Sequence, residues 1–332
     1  VIPLLQHPSQ AAAIKNEPIK KAHKMNSFEL PICACCVPAI SWCISGFSVL
    51  FCLLSLRMIK AVLPDPNDRK TDTIPTRLFI SVRSFLQAGV YLIAAILIGL
   101  SIVLAILNSY EEPRLKVFAW LMKKTTQSAL LDEARCEGAS LAFGRVLELG
   151  PGTGANFRCW ANSTAISEWV GVDPNTFMST AMDQEYSKFK LQFPTSMKWM
   201  RGENLDVPPS SFDSVVTTHV LCSVSSVDDI LRQVDRALKP GGTFFFMEHV
   251  KADGSDRTGT IIQALSAPLF AILGNGCKFK PLWENMNNLK DWGYEVALIK
   301  FDSALGRYDP CRPHVRGHAT KPKERQDYPH QN

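Results

Sequence analysis

Apolar residues fall into two long uncharged blocks near the N-terminus and then into short runs separated by mixed stretches. Residues 31–56 contain no Asp, Glu, Lys or Arg, and neither do residues 84–110. The second block includes an almost wholly apolar run from Ala88 to Leu107, interrupted by Ser101. About 20 such residues cross the hydrocarbon core of a bilayer. The block has almost nothing polar to turn toward water, so a transmembrane anchor is predicted over 84–110. The first block holds Pro31, Pro38 and Gly46. It reads as a second membrane segment (37–56), a signal-like segment, or a stretch ahead of the true start, for which Met25 is a candidate. A signal peptide ending near residue 56 lacks a small-x-small site. Around the blocks lie a polar stretch (1–29) and a linker (57–83) that contains Leu63-Pro-Asp-Pro-Asn-Asp-Arg-Lys70. Next comes an amphipathic connector (111–140), with Leu115, Phe118, Trp120 and Met122 among lysines, suited to lie on a membrane or pack on a domain.

From 141 to 320 the pattern becomes one of short β-branched runs alternating with helical periodicity. Strands are predicted at Arg145–Leu149, Trp169–Asp173, Ser196–Arg201, Phe212–His219, Thr243–Val250, Glu295–Phe301 and His314–Thr320. Helices are predicted at Val227–Leu238, stopped by Lys239-Pro-Gly-Gly, at Thr258–Leu273, and at Leu282–Trp292. Seven strands with intervening helices predict one α/β domain with a Rossmann-like sheet. A polar tail follows (321–332). The N-terminal extension (1–83) and anchor (84–110) make the chain one large domain with an appendage.

The net charge of +5 is modest and scattered. It fits an anionic membrane surface better than nucleic acid, and no basic stripe is interleaved with aromatics. Lys and Arg flank both apolar blocks on every side, so they select no orientation. Of ten cysteines, five lie in or beside the first block. Cys33 and Cys36 form a C-x-x-C, but no second pair completes a metal set, and no metal is expected. Cys35 and Cys36 read as apolar fillers or as palmitoylation sites. The scattered Cys136, Cys159, Cys222, Cys277 and Cys311 read as free thiols in a reducing compartment.

The chemistry is concentrated at Arg145–Gly154, R-V-L-E-L-G-P-G-T-G. A strand opens at once into a glycine loop, and the next strand ends in Asp173, about 20 residues past the first glycine, where an acid can grip a ribose diol. The glycines fall as G-x-G-x-G (Gly150, Gly152, Gly154), not G-x-G-x-x-G, and Glu148 stands at the mouth. A carboxylate there would repel a pyrophosphate but suits an ammonium group. S-adenosylmethionine carries an ammonium and a ribose and no phosphate, and the pattern resembles the class I methyltransferases. Glu203, at the third strand tip, is a further candidate cofactor ligand, with Leu205 and Val207 flanking the adenine. Asp213 reads as a structural turn acid. Beyond the fourth and fifth strands, His219, Cys222, Ser223, Glu248 and His249 fall near the transferred methyl, with His219 and His249 as candidate bases and Cys222, Ser223 and Glu248 as the substrate pocket. His314 and His318 lie on the final hairpin. Methyl transfer from a sulfonium needs alignment more than machinery.

Five segments resemble the methyltransferase-like seven group of membrane-anchored thiol S-methyltransferases: L-E-L-G-P-G-T-G-A-N-F (147–157), V-D-P-N (172–175), V-L-C-S-V (220–224), R-A-L-K-P-G-G-T-F-F-F-M-E-H-V (236–250) and R-P-H-V-R-G-H-A-T-K (312–321). The resemblance implies S-adenosylmethionine as donor, small alkyl thiols as acceptors, an apolar anchor in the endoplasmic reticulum shared with lipid droplets, and a catalytic domain facing the cytosol, where the donor is made. It places the cofactor on Gly150, Gly152, Gly154 and Asp173. The extension 1–83 has no counterpart in the family, and Pro151 replaces its commoner Cys. The expected partners are a small thiol and membrane lipid, without nucleic acid or an obligate protein partner. The rival readings are a methyltransferase of the same fold acting on a lipid hydroxyl, an amine or RNA, and a non-catalytic membrane scaffold that binds the cofactor.

Overall fold

The structure is a computed structural model, and it describes residues 50, 52–60, 74–124, 129–303 and 306–324. The polar start, most of the first apolar block with its C-x-x-C, much of the linker and the end of the tail lie outside them. A short helix, α1 (52–60), precedes α2 (Ile74–Ser109), α3 (Glu111–Lys124) and α4 (Ala129–Ala139). Then come β1 (Gly144–Leu149), α5 (Phe157–Trp160), β2 (Ile166–Val172), α6 (Ser179–Phe189), β3 (Thr195–Lys198), β4 (Phe212–Thr218), α7 (Val227–Ala237) and β5 (Leu238–His249). The chain ends in α8 (Arg257–Leu273), α9 (Leu282–Asn288), β6 (Glu295–Asp302) and β7 (Pro313–Thr320).

The seven strands form one sheet in the order β3-β2-β1-β4-β5-β7-β6. β1 to β5 are parallel, and β7 runs antiparallel to both β5 and β6. All seven strands read from the sequence are present with small shifts in their ends. The largest shift is in β5, which already begins at Leu238 and runs through the Lys239-Pro-Gly-Gly stretch. The same stretch is also the predicted helix stop, and α7 ends just before it, at Ala237. The predicted Leu282–Trp292 helix is α9 plus a 3-10 turn at Leu289–Trp292, closed by Gly293 at φ 84°.

Alternation along the strands divides the core into two layers. Leu147, Val215, Phe244 and Phe246 face Ile230, Leu231 and Val234 of α7 and Met286 of α9. Val146, Val216 and Phe245 face the other way, toward Ala139, Phe157 and Trp160. Glu148 shares the face of Val146, so the same alternation aims its carboxylate into the α4–α5 layer.

α2 is longer than the predicted anchor. Its stretch Ser81–Ser109, 29 residues, is the one helix among the described residues long and apolar enough to cross a membrane, by length and composition. At 1.5 Å per residue such a helix exceeds a hydrocarbon core of about 30 Å. Phe85, Leu92 and Ile96 on it are exposed, while Leu104 and Leu107 near its C-terminal end pack with Val117 of α3 and with Ile272 and Leu273 of α8.

One cysteine assignment is overturned. Cys136 of α4 and Cys159 of α5 are joined in a disulfide, with Cα atoms 5.0 Å apart, so they are not free thiols. The pair forms because both short helices cover the same face of the sheet, where sequence spacing gives no sign of their closeness. Cys52, Cys222, Cys277 and Cys311 are free.

Candidate active site

The sheet is wound outward in both directions from β1 and β4, and ligands of such sheets bind beyond the strand ends at this switch point. A cavity of about 980 Å³ opens there, lined by Glu148, Gly150 to Thr153, Asp173, Glu203, His219 and Ser223. A second cavity, of about 620 Å³, lies beside Phe301, Arg312 and His314 and touches neither the glycine loop nor Asp173.

The three loop glycines have left-handed backbone, with φ of 64°, 55° and 82°. Their surroundings differ. A Cβ on Gly150 would lie 2.5 Å from Val220, and one on Gly154 would lie 2.8 Å from the Phe157 ring. These two serve close packing as well as the turn. Gly152 has nothing within 4 Å of that position. It faces open cavity, the place where a ligand can approach the backbone.

Asp173 and Glu148 both line the cavity, and Asp173 also holds the glycine loop. Asp173 accepts from Gly152 N at 3.1 Å and from Asn175 N at 2.8 Å. Burial pushes its carboxyl up, opposed by these two backbone bonds. Glu148, 2% exposed, accepts from Asn156 Nδ2 at 2.7 Å and from Trp169 Nε1 at 2.8 Å. Burial raises its pKa to about 7, against the Trp169 and Asn156 bonds and the charge of Arg135. Asn156 also donates to Thr218 Oγ1 at 3.1 Å and accepts from Arg135 at 3.1 Å. Burial lowers Arg135 to about 10. Sequence reading missed Arg135 and Asn156. Asn156 stands in the quoted loop segment, but nothing marks Arg135, which arrives from α4. Glu203 is half-buried, lines the cavity and accepts from Ser225 N at 3.0 Å. Leu205 and Val207 are buried in the core and do not line the cavity. Asp213 is structural, as read: it accepts from Arg145 N and Lys239 Nζ, at 2.8 and 2.7 Å.

The connector packs on the domain. α3 lies over the cavity, supplying Glu111, Arg114, Leu115 and Phe118 to its lining. Asn175 Nδ2 donates to Leu115 O at 3.1 Å, Arg114 Nε donates to Asn275 Oδ1 at 3.2 Å, and Arg201 pairs with Glu111.

Of the residues predicted near the methyl, the cavity wall shows His219 and Ser223. His219 has φ of 58°, an uncommon conformation for a side chain-bearing residue. Its Nε2 is 3.1 Å from Nε2 of His314, which the antiparallel register sets opposite His249. Burial, followed by the charge of Arg135, holds His219 well below the usual histidine range, and burial lowers His314 to about 4. Both rings are therefore neutral near pH 7. Cys222, Glu248 and His249 lie behind the wall, buried. Glu248 accepts from Val220 N and Leu221 N at 3.0 and 3.2 Å, fixing the 219–223 loop, and burial raises it to about 8. Cys222, His249 and Cys277 come together, with ligand-capable atoms all within 4.8 Å of one another. Sequence reading saw no such cluster, because the three residues come from three separate segments.

A profile of the methyltransferase-domain family matches residues 147–246. The human thiol S-methyltransferase TMT1A is 34% identical over 178 residues, which cover 53% of this chain and 70% of that protein. The Rattus norvegicus thiol S-methyltransferase TMT1B is 30% identical over 185 residues, again covering 53% and 70%. The chain belongs to this thiol S-methyltransferase family. It is a class I, S-adenosylmethionine-dependent methyltransferase, as the glycine loop and Asp173 implied. A sterol 24-C-methyltransferase from Eremothecium gossypii is 30% identical over 115 residues, covering 34% of this chain and 30% of its own length.

Proposed function

We propose that this protein methylates small lipophilic thiols at a membrane surface, with α2 as its anchor. The reading places it in the endoplasmic reticulum and on lipid droplets, with the domain facing the cytosol. The observation that carries it is the arrangement of one cavity: the glycine loop and its acids form one side, and α3, which continues from the long apolar α2, covers another. The named activity of the TMT1A and TMT1B relatives supports the acceptor class.

The residues present fit the donor. The open space before Gly152 admits a ligand to the backbone, Asp173 would hold a ribose diol, and Glu148 offers a carboxylate at the mouth of the loop for an ammonium group. When bound, S-adenosylmethionine supplies a methyl group already activated on a sulfonium. The protein has to hold the acceptor sulfur in line with it and keep water out. α3 provides the cover, and His219 and Ser223 form the wall nearest the acceptor side. His219 is the base candidate with access to the cavity, and its pairing with His314 gives the proton a second nitrogen. An apolar stripe on α8 beside the anchor (Ile261, Leu265, Leu269) continues the lipid-facing surface by which such acceptors arrive.

The test is methyl transfer by detergent-solubilised full-length protein from labelled donor to matched thiol, alcohol, amine and sterol acceptors. Label on the thiol alone, lost in Asp173→Ala, is the expected result. Label on the sterol or alcohol would keep fold and donor and replace the acceptor; the sterol methyltransferase relative is the observation behind that second reading. Donor binding without transfer to any acceptor would favour the scaffold.

A further inference from the structure

Behind the cavity wall three ligand-type side chains converge from separate elements. Cys222 follows β4, His249 ends β5, and Cys277 follows α8. All three are buried, at 2%, 8% and 5% exposure. Cys277 Sγ is 3.3 Å from His249 Nε2, and every pair of ligand atoms lies within 4.8 Å. For a tetrahedral zinc with Zn–S of about 2.3 Å and Zn–N of about 2.0–2.1 Å, the S···N edge is about 3.6 Å. The side chains therefore stand at nearly the spacing one small cation requires.

We propose that Cys222, His249 and Cys277 bind a single zinc-type divalent cation. The ligand set is soft, two sulfurs and an imidazole, which selects zinc and similar transition metals over magnesium or calcium. Two thiolates balance the charge of a divalent ion, so the occupied site is neutral, as a buried site needs to be. His249 turns Nε2 toward the Cys277 sulfur, and its other nitrogen, Nδ1, is buried with no hydrogen-bond partner among the described residues, so no competing protein group fixes the ring. The surrounding backbone is already fixed. Lys280 Nζ donates to Leu221 O and Val224 O at 3.0 and 2.9 Å, and Lys278 N donates to Cys222 O at 3.0 Å, tying the two cysteine segments together. Three protein ligands leave one coordination position for a water or another small donor. Ser223, Gly276 and Lys278, the chain neighbours of the two cysteines, all line the donor cavity, so the ion would sit one residue behind its wall. Its role is to clamp the 219–223 loop to the 274–278 segment. The binding itself does not depend on which acceptor the enzyme uses.

The test uses reduced, full-length protein in detergent, stripped with a chelator and titrated anaerobically with zinc and then cobalt. The expected result is one tightly held metal per chain by elemental analysis and, with cobalt, a thiolate-to-metal charge-transfer band. Cys222→Ser and Cys277→Ser each remove most of that band, whereas Cys311→Ser leaves it intact. Donor binding and circular dichroism are followed in parallel, so that a misfolded variant is recognised and the wild-type titration decides. Absence of the band in reduced wild type, its survival in the Cys222→Ser, Cys277→Ser double variant, or a Cys222–Cys277 disulfide in the freshly isolated protein would overturn the proposal.

Discussion

Glu148 is a carboxyl group placed where its charge is costly without a ligand. It lies in the α4–α5 layer, bonded by Asn156 and Trp169, with the charge of Arg135 favouring its ionised form and that of Asp173 opposing it. Its pKa of about 7 is raised above the ordinary 4.5. For an acid shifted this way, the folded state binds the extra proton between those two values. Its contribution to stability is therefore complete below about pH 4.5 and is lost as pH rises through about 7. Donor binding has the opposite sign if the ammonium lies near this carboxylate, since the cation favours the ionised form. The expected result is that donor affinity climbs as pH rises from 6 through about 7 and falls again as the donor's α-amino group, with a pKa of about 8, loses its proton, with proton release on binding near pH 7. Calorimetry in buffers of different ionisation enthalpy would measure it. Glu148→Gln should flatten the rising limb of the profile. An unchanged profile would assign the acid to holding Asn156 and Trp169 alone.

At the scale of elements, α3 shows what periodicity cannot decide. Its apolar positions fit a membrane face or a protein face equally well, and only the partners on the domain select the latter. Beside the apolar contact of Val117 with α8, the polar ties of α3 to the domain are Arg114 to Asn275, Asn175 to the Leu115 carbonyl, and Arg201 to Glu111. The exposed Arg201–Glu111 pair contributes about 0.2–1 kcal/mol, and a hydrogen bond such as Arg114 to Asn275 about 0.5–1.5 kcal/mol net. The combined Arg114→Ala, Arg201→Ala variant should therefore release donor several-fold faster, with thermal stability nearly unchanged. Stopped-flow displacement would measure the release, and an unchanged rate would mean that α3 does not gate the cavity. The strands were legible for the opposite reason. β1, β2, β4 and β5 are buried parallel strands whose β-branched and aromatic runs have few alternatives. The glycine loop was legible because left-handed backbone restricts the residue choice. Arg135, Cys277 and the Cys136–Cys159 bond were not, since each depends on how elements far apart in sequence pack together.

For the whole molecule, the proposed lipophilic acceptor raises the question of the route by which it would reach the cavity at the sheet edge. Leu104 and Leu107 of α2, Val117 of α3 and Ile272 and Leu273 of α8 form one cluster, so the apolar helix, the cavity cover and α8 meet at one place. On α8, Ile261, Leu265 and Leu269 recur every four residues and remain 59%, 77% and 47% exposed. Such spacing makes a stripe along one face of the helix. If α2 spans a bilayer, this stripe is the part of the domain surface that extends its apolar area toward the cavity cover. Replacing Ile261 and Leu265 by Glu leaves α2 in place, so the protein should stay in the membrane fraction while losing the stripe's apolar contact. Full burial of one such side chain is worth about 1.5–3 kcal/mol, and partial burial at an interface less. In reconstituted vesicles the apparent KM for a lipophilic thiol should therefore rise roughly tenfold, equivalent to about 1.4 kcal/mol, with kcat little changed. A water-soluble thiol measured on the same vesicles supplies the control, because it reaches the cavity without crossing the lipid surface. Its KM should not move. Equal increases for both thiols would show that the stripe supports the fold of the site and not the delivery of acceptor from the bilayer.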